Sequence, residues 1–518
     1  MNLGLIDILV FLAFFALVIG VSIFKSRKET TTEDYFLASR GLTWPLIGLS
    51  LIAANISTEH FVGMAGQGAG AAGLAIASYE WMAAVVLIFV AIFFLPKFLR
   101  SGIFTIPEYL EYRYNATARS IMAFYTMVIY VGVTIAAVIY SGGLTLQTLF
   151  GDIQNFDHLL YGIGIIGFIA AAYTIWGGLK AVAWADLFQG SALIIGGIIT
   201  TYLGFQAVGG VDSFFEHNSD KMHMILPDDN SILPWTALVI GLWIPNFYYW
   251  GLNQYISQRT LAAKSLRQGQ LGIIFAASLK LFIPFIIIFP GIMAYQLYSD
   301  QLGGVAGTDA AYPLLIRNLV GPGVRAFIFA AISGAVISSL ASMLNSASTI
   351  FTMDLFKRHF KKDASHKQLI TTGRISTAVF VIAGCIIAPK LGDPNFQGIF
   401  TYIQEFQGYI SPGILGVFVF GMIFKKAPAS AGVTGLLLTV PVYGFLQWQF
   451  GEIAFLNRMA ITFGVVLLVM LIITKINPLE KPKEMPIREE FDMRPSPSVK
   501  ILGSLVIFIT IILYIIFW

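Results

Sequence analysis

The chain has 518 residues, 57% of them hydrophobic and only 12% charged, with a mean hydropathy of +0.77. No soluble core of this size hides so much apolar surface, so the sequence reads as an all-α polytopic membrane protein. Its single cysteine, Cys385, excludes an internal disulfide and argues against a zinc site, and its formal charge of +4 matters less than where the charges fall.

Leu3 to Phe24 is too long for a signal-peptide core, contains Asp7 and has its positive charges behind it. It reads as a first transmembrane helix with the N-terminus outside. Runs long enough to span a bilayer follow one another at about 4–24, 44–73, 76–99, 118–149, 158–178, 184–208, 232–256, 270–298, 313–353, 369–389, 396–423, 428–448, 455–474 and 499–518. That makes fourteen. The run at 313–353 is long for one span and is expected to open with a short helix near Tyr312 and Pro313. Lysines and arginines test the count. With the N-terminus outside, the inner loops hold Lys25 to Arg40, Lys97 to Arg119, Lys180, Arg259 to Arg267, Lys357 to Arg374, Lys425, Lys426 and Lys475 to Lys500. The outside keeps only Lys221, Arg317, Arg325, Lys390 and Arg458. Such a bias puts both termini on the outer face of a bacterial inner membrane.

The second run carries Leu51-Ile-Ala-Ala-Asn-Ile-Ser-Thr-Glu-His-Phe-Val-Gly-Met64, with Asn55, Ser57, Thr58, Glu59 and His60 at bilayer depth. A charge there costs roughly 2.5–3.5 kcal/mol on insertion scales, so such groups face a cavity more often than lipid. A helix that unwinds at this point aims freed carbonyls and helix ends at an ion or solute. In the third run, Glu80 stands between Tyr79 and Trp81. Asp186 opens the sixth near the inner face, where an interfacial anchor is an equally good reading.

Asn115-Ala-Thr117 matches a glycosylation sequon but falls on the inner side. The seventh run is interrupted by Pro245, Asn246, the aromatics Phe247 to Trp250, and Asn253. Pro245 removes a donor and is expected to free a carbonyl in mid-helix. Two broken helices in matching places suggest inverted five-helix repeats, 43–210 and 211–424, within one transmembrane domain; 1–42 precedes them and three helices at 425–518 follow. Lys280 is the one basic residue at mid-membrane depth, with Glu80 a possible partner. In the ninth run Ser338, Ser342 and Asn345 share a face; their hydroxyls either meet an ion or bond back to their own helix. Gln404 adds an amide to the eleventh.

Amides, one ammonium, one or two carboxylates, a histidine and aromatic rings suit a polyhydroxylated, uncharged solute. Its hydroxyls need donors and acceptors, and a sugar ring's apolar face stacks on aromatic groups. No Gly-x-x-x-x-Gly-Lys loop suggests ATP as a driving force, no nucleophile–base set suggests an enzyme, and the basic loops ask for no partner beyond lipid head groups. Nothing points to nucleic acid.

Leu51–Gly63, Ala75–Met82, Asn246–Ser265 and Ser338–Asp354 closely resemble the sodium/glucose-type branch of the solute:sodium symporter family, and the resemblance covers nearly the whole chain. It implies a LeuT-like fold of about 14 transmembrane helices and sodium-driven monosaccharide uptake. It also implies sugar contacts from Asn55, His60, Glu80, Asn246, Lys280 and Gln404. Tyr249 and Trp250 would cap the sugar on the inner side, and Met64, Tyr79 and Phe400 on the outer. Sodium would meet the carbonyls of Ala53, Ile56 and Ala335 and the hydroxyls of Ser338 and Ser339, and would leave past Asp186. The chain departs from the pattern in places. His60 stands where bacterial galactose-transporting members carry Gln, as it does in animal glucose transporters. Ala83 replaces a serine near the sugar. Ala341 stands where members coupling two sodium ions carry Thr, which favours one sodium per sugar. A polyol symporter, myo-inositol above all, fits the same residues, and so does a sodium-dependent sugar sensor or channel.

Overall fold

The computed structural model describes all residues except 1–4, 27–30, 58, 151–155, 231, 303–306, 393–398 and 490; Thr58 of the polar cluster therefore lies outside the described residues. Among those described the chain is helical, and β-pairing is limited to two isolated bridges, Leu42 with Ala263 and Leu226 with Pro234. Among the described residues nine helices are long and apolar enough to cross a membrane, and two bent pairs raise the number to eleven. The long ninth run does divide, into a short helix Ala311–Leu319 and a longer one from Val324.

The first bent pair is the polar stretch. Trp44–Asn55 and Glu59–Ala69 meet at 56°, and Ile56 between them takes an extended conformation, φ −76°, ψ 98°. The Ile56 N–H still bonds the Ile52 carbonyl, at 2.7 Å, so the carbonyls from Ala53 onward have no amide of their own helix to accept from. The outer half is held from two sides. Lys221 Nζ donates to the Ala69 and Gly70 carbonyls at 3.1 and 2.8 Å. A methyl group on Gly291 would come within 2.2 Å of the Ala65 carbonyl oxygen. The inner half packs on Leu266–Lys280, where a Cβ on Gly48 would stand 2.9 Å from the Gly272 carbonyl oxygen and one on Gly272 2.7 Å from Ile47. Small residues at a membrane crossing let two backbones approach this closely, and the approach brings Asn55 to Lys280.

Three expectations need correction. Pro245 does not break its helix: it lies in Trp243–Phe247, flanked by wide turns at Ala237–Gly241 and Tyr248–Leu252, and the backbone turns extended only at Asn253. A proline early in a short helix lacks only an N–H that has no partner there. The residue at the break is held from outside, since the Tyr130 hydroxyl donates to Asn253 Oδ1. The fifth and sixth runs are not separated by a non-helical loop. Helical bonding continues from Phe156 to Ala207, and 157–171 and 179–207 are its separate apolar stretches. Arg259 is not a loop residue. It sits on Gln254–Leu261 with no exposure at all. The sequon has a local explanation, because Asn115 Oδ1 accepts from the Ala118 N–H at 2.9 Å and caps the helix Ala116–Ile129.

Candidate functional site

Where the two halves of the broken helix part, the polar side chains meet around a cavity of about 40 Å3. Lys280, fully buried near the end of Leu266–Lys280, donates to Glu80 Oε2 at 2.5 Å and also to Asn55 Oδ1. Its ammonium lies 4.8 Å from the centre of the Trp250 ring, a cation–π contact that helps to hold a charge away from water. Glu80 Oε1 meets His60 Nε2 at 3.3 Å. Against a carboxylate that nitrogen carries the proton, which makes Nδ1 the acceptor of a neutral ring. His60 Nδ1 is buried and has no partner among the described residues, so it is an acceptor left for something in the cavity.

Asn55 turns its amide N–H to the Tyr249 hydroxyl at 2.9 Å, and Tyr255 donates to the same oxygen at 2.6 Å. Asn246 donates back to the Leu242 carbonyl at 3.0 Å, which leaves its amide oxygen for the cavity. On the opposite wall the rings of Tyr79 and Phe400 meet edge to face, 4.9 Å apart. Gly63 fits there because a Cβ would come within 2.9 Å of Phe400 Cβ. Five of the six expected solute contacts line the cavity, namely Asn55, His60, Glu80, Asn246 and Gln404, and Lys280 braces two of them. Met64, Tyr79, Tyr249, Trp250 and Phe400 line it too. Glu59 and Pro245 also face it, and the sequence reading had assigned neither. The signal for Glu59 was present, since it lies beside His60 in the same polar cluster.

A second polar cluster begins one residue away. The Ser339 hydroxyl donates to the Ala54 carbonyl at 3.0 Å and lies 3.4 Å from that of Ala53. Ser338, its neighbour on Val324–Ile350, donates to Asp186 Oδ1, and Ser50 donates to Asp186 Oδ2. Arg259 Nη2 closes on that carboxylate at 2.9 Å, while its Nε reaches Ser50 Oγ at 2.6 Å and another N–H bonds Ser342. Asp186 is thus no interfacial anchor. It is fully buried and neutralised by an arginine that sequence reasoning had placed outside the membrane core. Ala53, Ser338, Ser339 and Asp186 come together here. Ile56 ends the same helix, and Ala335 lies one turn before Ser339 on its own. Freed carbonyls and hydroxyls are hard oxygen donors, the set a small hard cation accepts. No cluster of three or more His, Cys, Asp or Glu suited to another metal occurs among the described residues.

One carboxyl at the outer end was not anticipated. Asp309, between two spans, accepts from the Ile399 N–H at 3.4 Å, at the start of the helix that bears Phe400 and Gln404. Its Oδ1 would lie 2.7 Å from a Cβ on Gly66. Burial pushes its pKa up to about 7, against the smaller effect of that N–H.

The sodium:solute symporter family description matches residues 35–439. The chain is 41% identical to a sodium/glucose cotransporter of Vibrio parahaemolyticus, over all of this chain and 99% of that one. It is 34% identical to a sodium/myo-inositol cotransporter 2 of Sus scrofa, over 83% of this chain and 68% of that one. A solved structure of a sodium-coupled sialic acid symporter in a substrate-bound, outward-open state superposes with a TM-score of 0.82 at 23% identity, covering 93% of this chain and all of the other. The all-helical, LeuT-like class expected from the sequence holds.

Proposed function

From its membership of the sodium:solute symporter family, which makes this chain a sodium-coupled transporter and not an enzyme, we propose that it imports a monosaccharide, galactose or glucose, with one sodium ion per sugar. The observation that carries this reading is the adjacency of the two clusters. Asn55 belongs to the solute cavity, while the carbonyls of Ala53 and Ala54, two and one residues before it, face Ser339. An ion held by Ala53, Ile56, Ala335, Ser338 and Ser339 ties the end of Trp44–Asn55 to Val324–Ile350 and so fixes Asn55 for the solute. Reciprocity then requires the solute to tighten the ion by the same factor.

The cavity supplies matched partners for hydroxyls: amide N–H groups donate, and His60 Nδ1, the Asn246 carbonyl and carboxylate oxygens accept, while Lys280 behind the wall holds Asn55 and Glu80 in place. At about 40 Å3 it has room for a water or two, so the described conformation is closed on the solute site. Tyr79, Met64 and Phe400 must move to admit a sugar from outside, and Tyr249 and Trp250 to release it inside. Asp186 receives the ion on its way in. We place both termini outside, as the charge bias argues; moving Arg259 from the inner loops to the core leaves that bias intact. Sodium entry then supplies about 2.3 kcal/mol per 100 mV of membrane potential, in addition to its concentration gradient.

Uptake of labelled galactose and glucose into proteoliposomes tests the reading. Accumulation above equilibrium only under an inward sodium gradient supports it. Sodium-dependent accumulation of myo-inositol in place of either hexose transfers the same mechanism to a polyol, which the 34% identical myo-inositol relative makes the second reading. Sodium-dependent binding without accumulation identifies a sensor or channel.

A further inference from the structure

The short helix Trp243–Phe247 separates two cavities. Pro245 and Asn246 face the solute site. Trp243, Ile244 and Phe247 face a groove of about 410 Å3 on the membrane side. The rest of that groove is apolar too, with Phe93 and Ile240 about half exposed, and one charged residue stands in its wall, Lys97. Lys425 follows Ile423, another residue of the groove wall, by two positions, which brings a second ammonium to the same end. The Lys425 carbonyl accepts from the Lys483 N–H at 3.0 Å, which draws a further basic segment to the same end. Glu480 and Glu484 share that segment, yet among the described residues no carboxylate pairs with Lys97 or Lys425.

We propose that this groove is a site for one anionic phospholipid, with an acyl chain along Phe93, Ile240, Trp243 and Phe247 and the phosphate between Lys97 and Lys425. Two neighbouring ammoniums without a counter-ion, at the end of an apolar groove between membrane helices, are what an anionic head group recognises. A free phosphate leaves the aromatic wall uncovered, and a zwitterionic lipid leaves the two like charges uncompensated. The occupant braces the back of the helix whose front carries Asn246. This inference rests on the position of the groove and its lysines, and holds whatever the transported solute.

Native mass spectrometry of the full chain in detergent tests it, with phosphatidylglycerol and phosphatidylcholine of identical acyl chains as probes. At about 1 kcal/mol per lysine near a head group, phosphatidylglycerol adducts should exceed phosphatidylcholine adducts about tenfold or more. Lys97→Gln with Lys425→Gln should bring the two to parity, and Ile423→Trp, which fills the groove from an exposed position, should reduce both. Equal adducts on the unaltered chain, a preference that survives removal of both lysines, or adducts untouched by Ile423→Trp each overturn the proposal. None of these readouts depends on sugar uptake.

Discussion

Arg259 Nη2 lies 2.9 Å from Asp186 Oδ2, and neither side chain reaches solvent. The pair neutralises two charges that could not otherwise stay inside the protein, and through Ser338 it adjoins the ion cluster. Asp186→Asn should destabilise the chain by about 3–5 kcal/mol, because it leaves a buried guanidinium uncompensated. The double variant Asp186→Asn with Arg259→Gln should recover much of that loss. Thermal unfolding in detergent decides: an Asp186→Asn chain as stable as the parent means that the pair is not holding this region together.

Gln404 lines the cavity and Lys280 braces Asn55 and Glu80 in its wall, and neither contacts the Ser338–Ser339 cluster. Lys280→Ala and Gln404→Ala are each expected to weaken solute binding about 10-fold to 100-fold, the range for lost hydrogen bonds to charged and neutral partners. Sodium binding, followed by its effect on tryptophan fluorescence, should stay close to that of the parent. Parallel loss of both ligands would show that Lys280 supports the fold and not the solute.

Ser339 is expected to carry the ion. Ser339→Ala removes a hydroxyl that lies beside two freed carbonyls, so half-saturation should require at least about tenfold more sodium. Solute affinity at saturating sodium should recover. Sodium dependence unchanged by this substitution places the ion elsewhere.

Asp309 gives stability a pH dependence with a definite sign. Its folded pKa of about 7 exceeds an unfolded value near 3.9, so over that interval the folded chain holds a proton that the unfolded chain has lost. Its contribution is therefore complete at low pH, falls as pH rises towards 7 and is lost above. Melting temperatures measured from pH 5 to 8 should decline for the parent more steeply than for Asp309→Asn. Parallel curves would mean that the carboxyl is ionised throughout.

The broken helix was legible because Asn55, Glu59 and His60 cannot stand at bilayer depth without a cavity, and Lys280 was legible as a lone mid-membrane cation. The Ser50–Asp186–Arg259 cluster was not. Each member sits near the end of its own apolar run, where a polar residue is ordinary, and only packing of three separate segments brings them together. Pro245 misled for the opposite reason. A proline is a strong local signal, but the wide turns around it absorb the missing bond, while the break depends on Tyr130, a residue far away in the chain. Asp309 escaped notice because a carboxylate between spans is expected to be solvated; Gly66 and the Ile399 N–H remove it from water only once the helices have packed.

Gly291 against Ala65 has a consequence for motion. With the Ala65 carbonyl oxygen 2.2 Å from where a Cβ would lie, the two backbones touch with no side chain between them to tilt or swap rotamers. The outer half of the broken helix and Ile283–Tyr298 are therefore expected to keep this contact as the site opens. The extended residue Ile56 and the bend between Gln407 and Ser411 are then the expected joints on this side of the solute site.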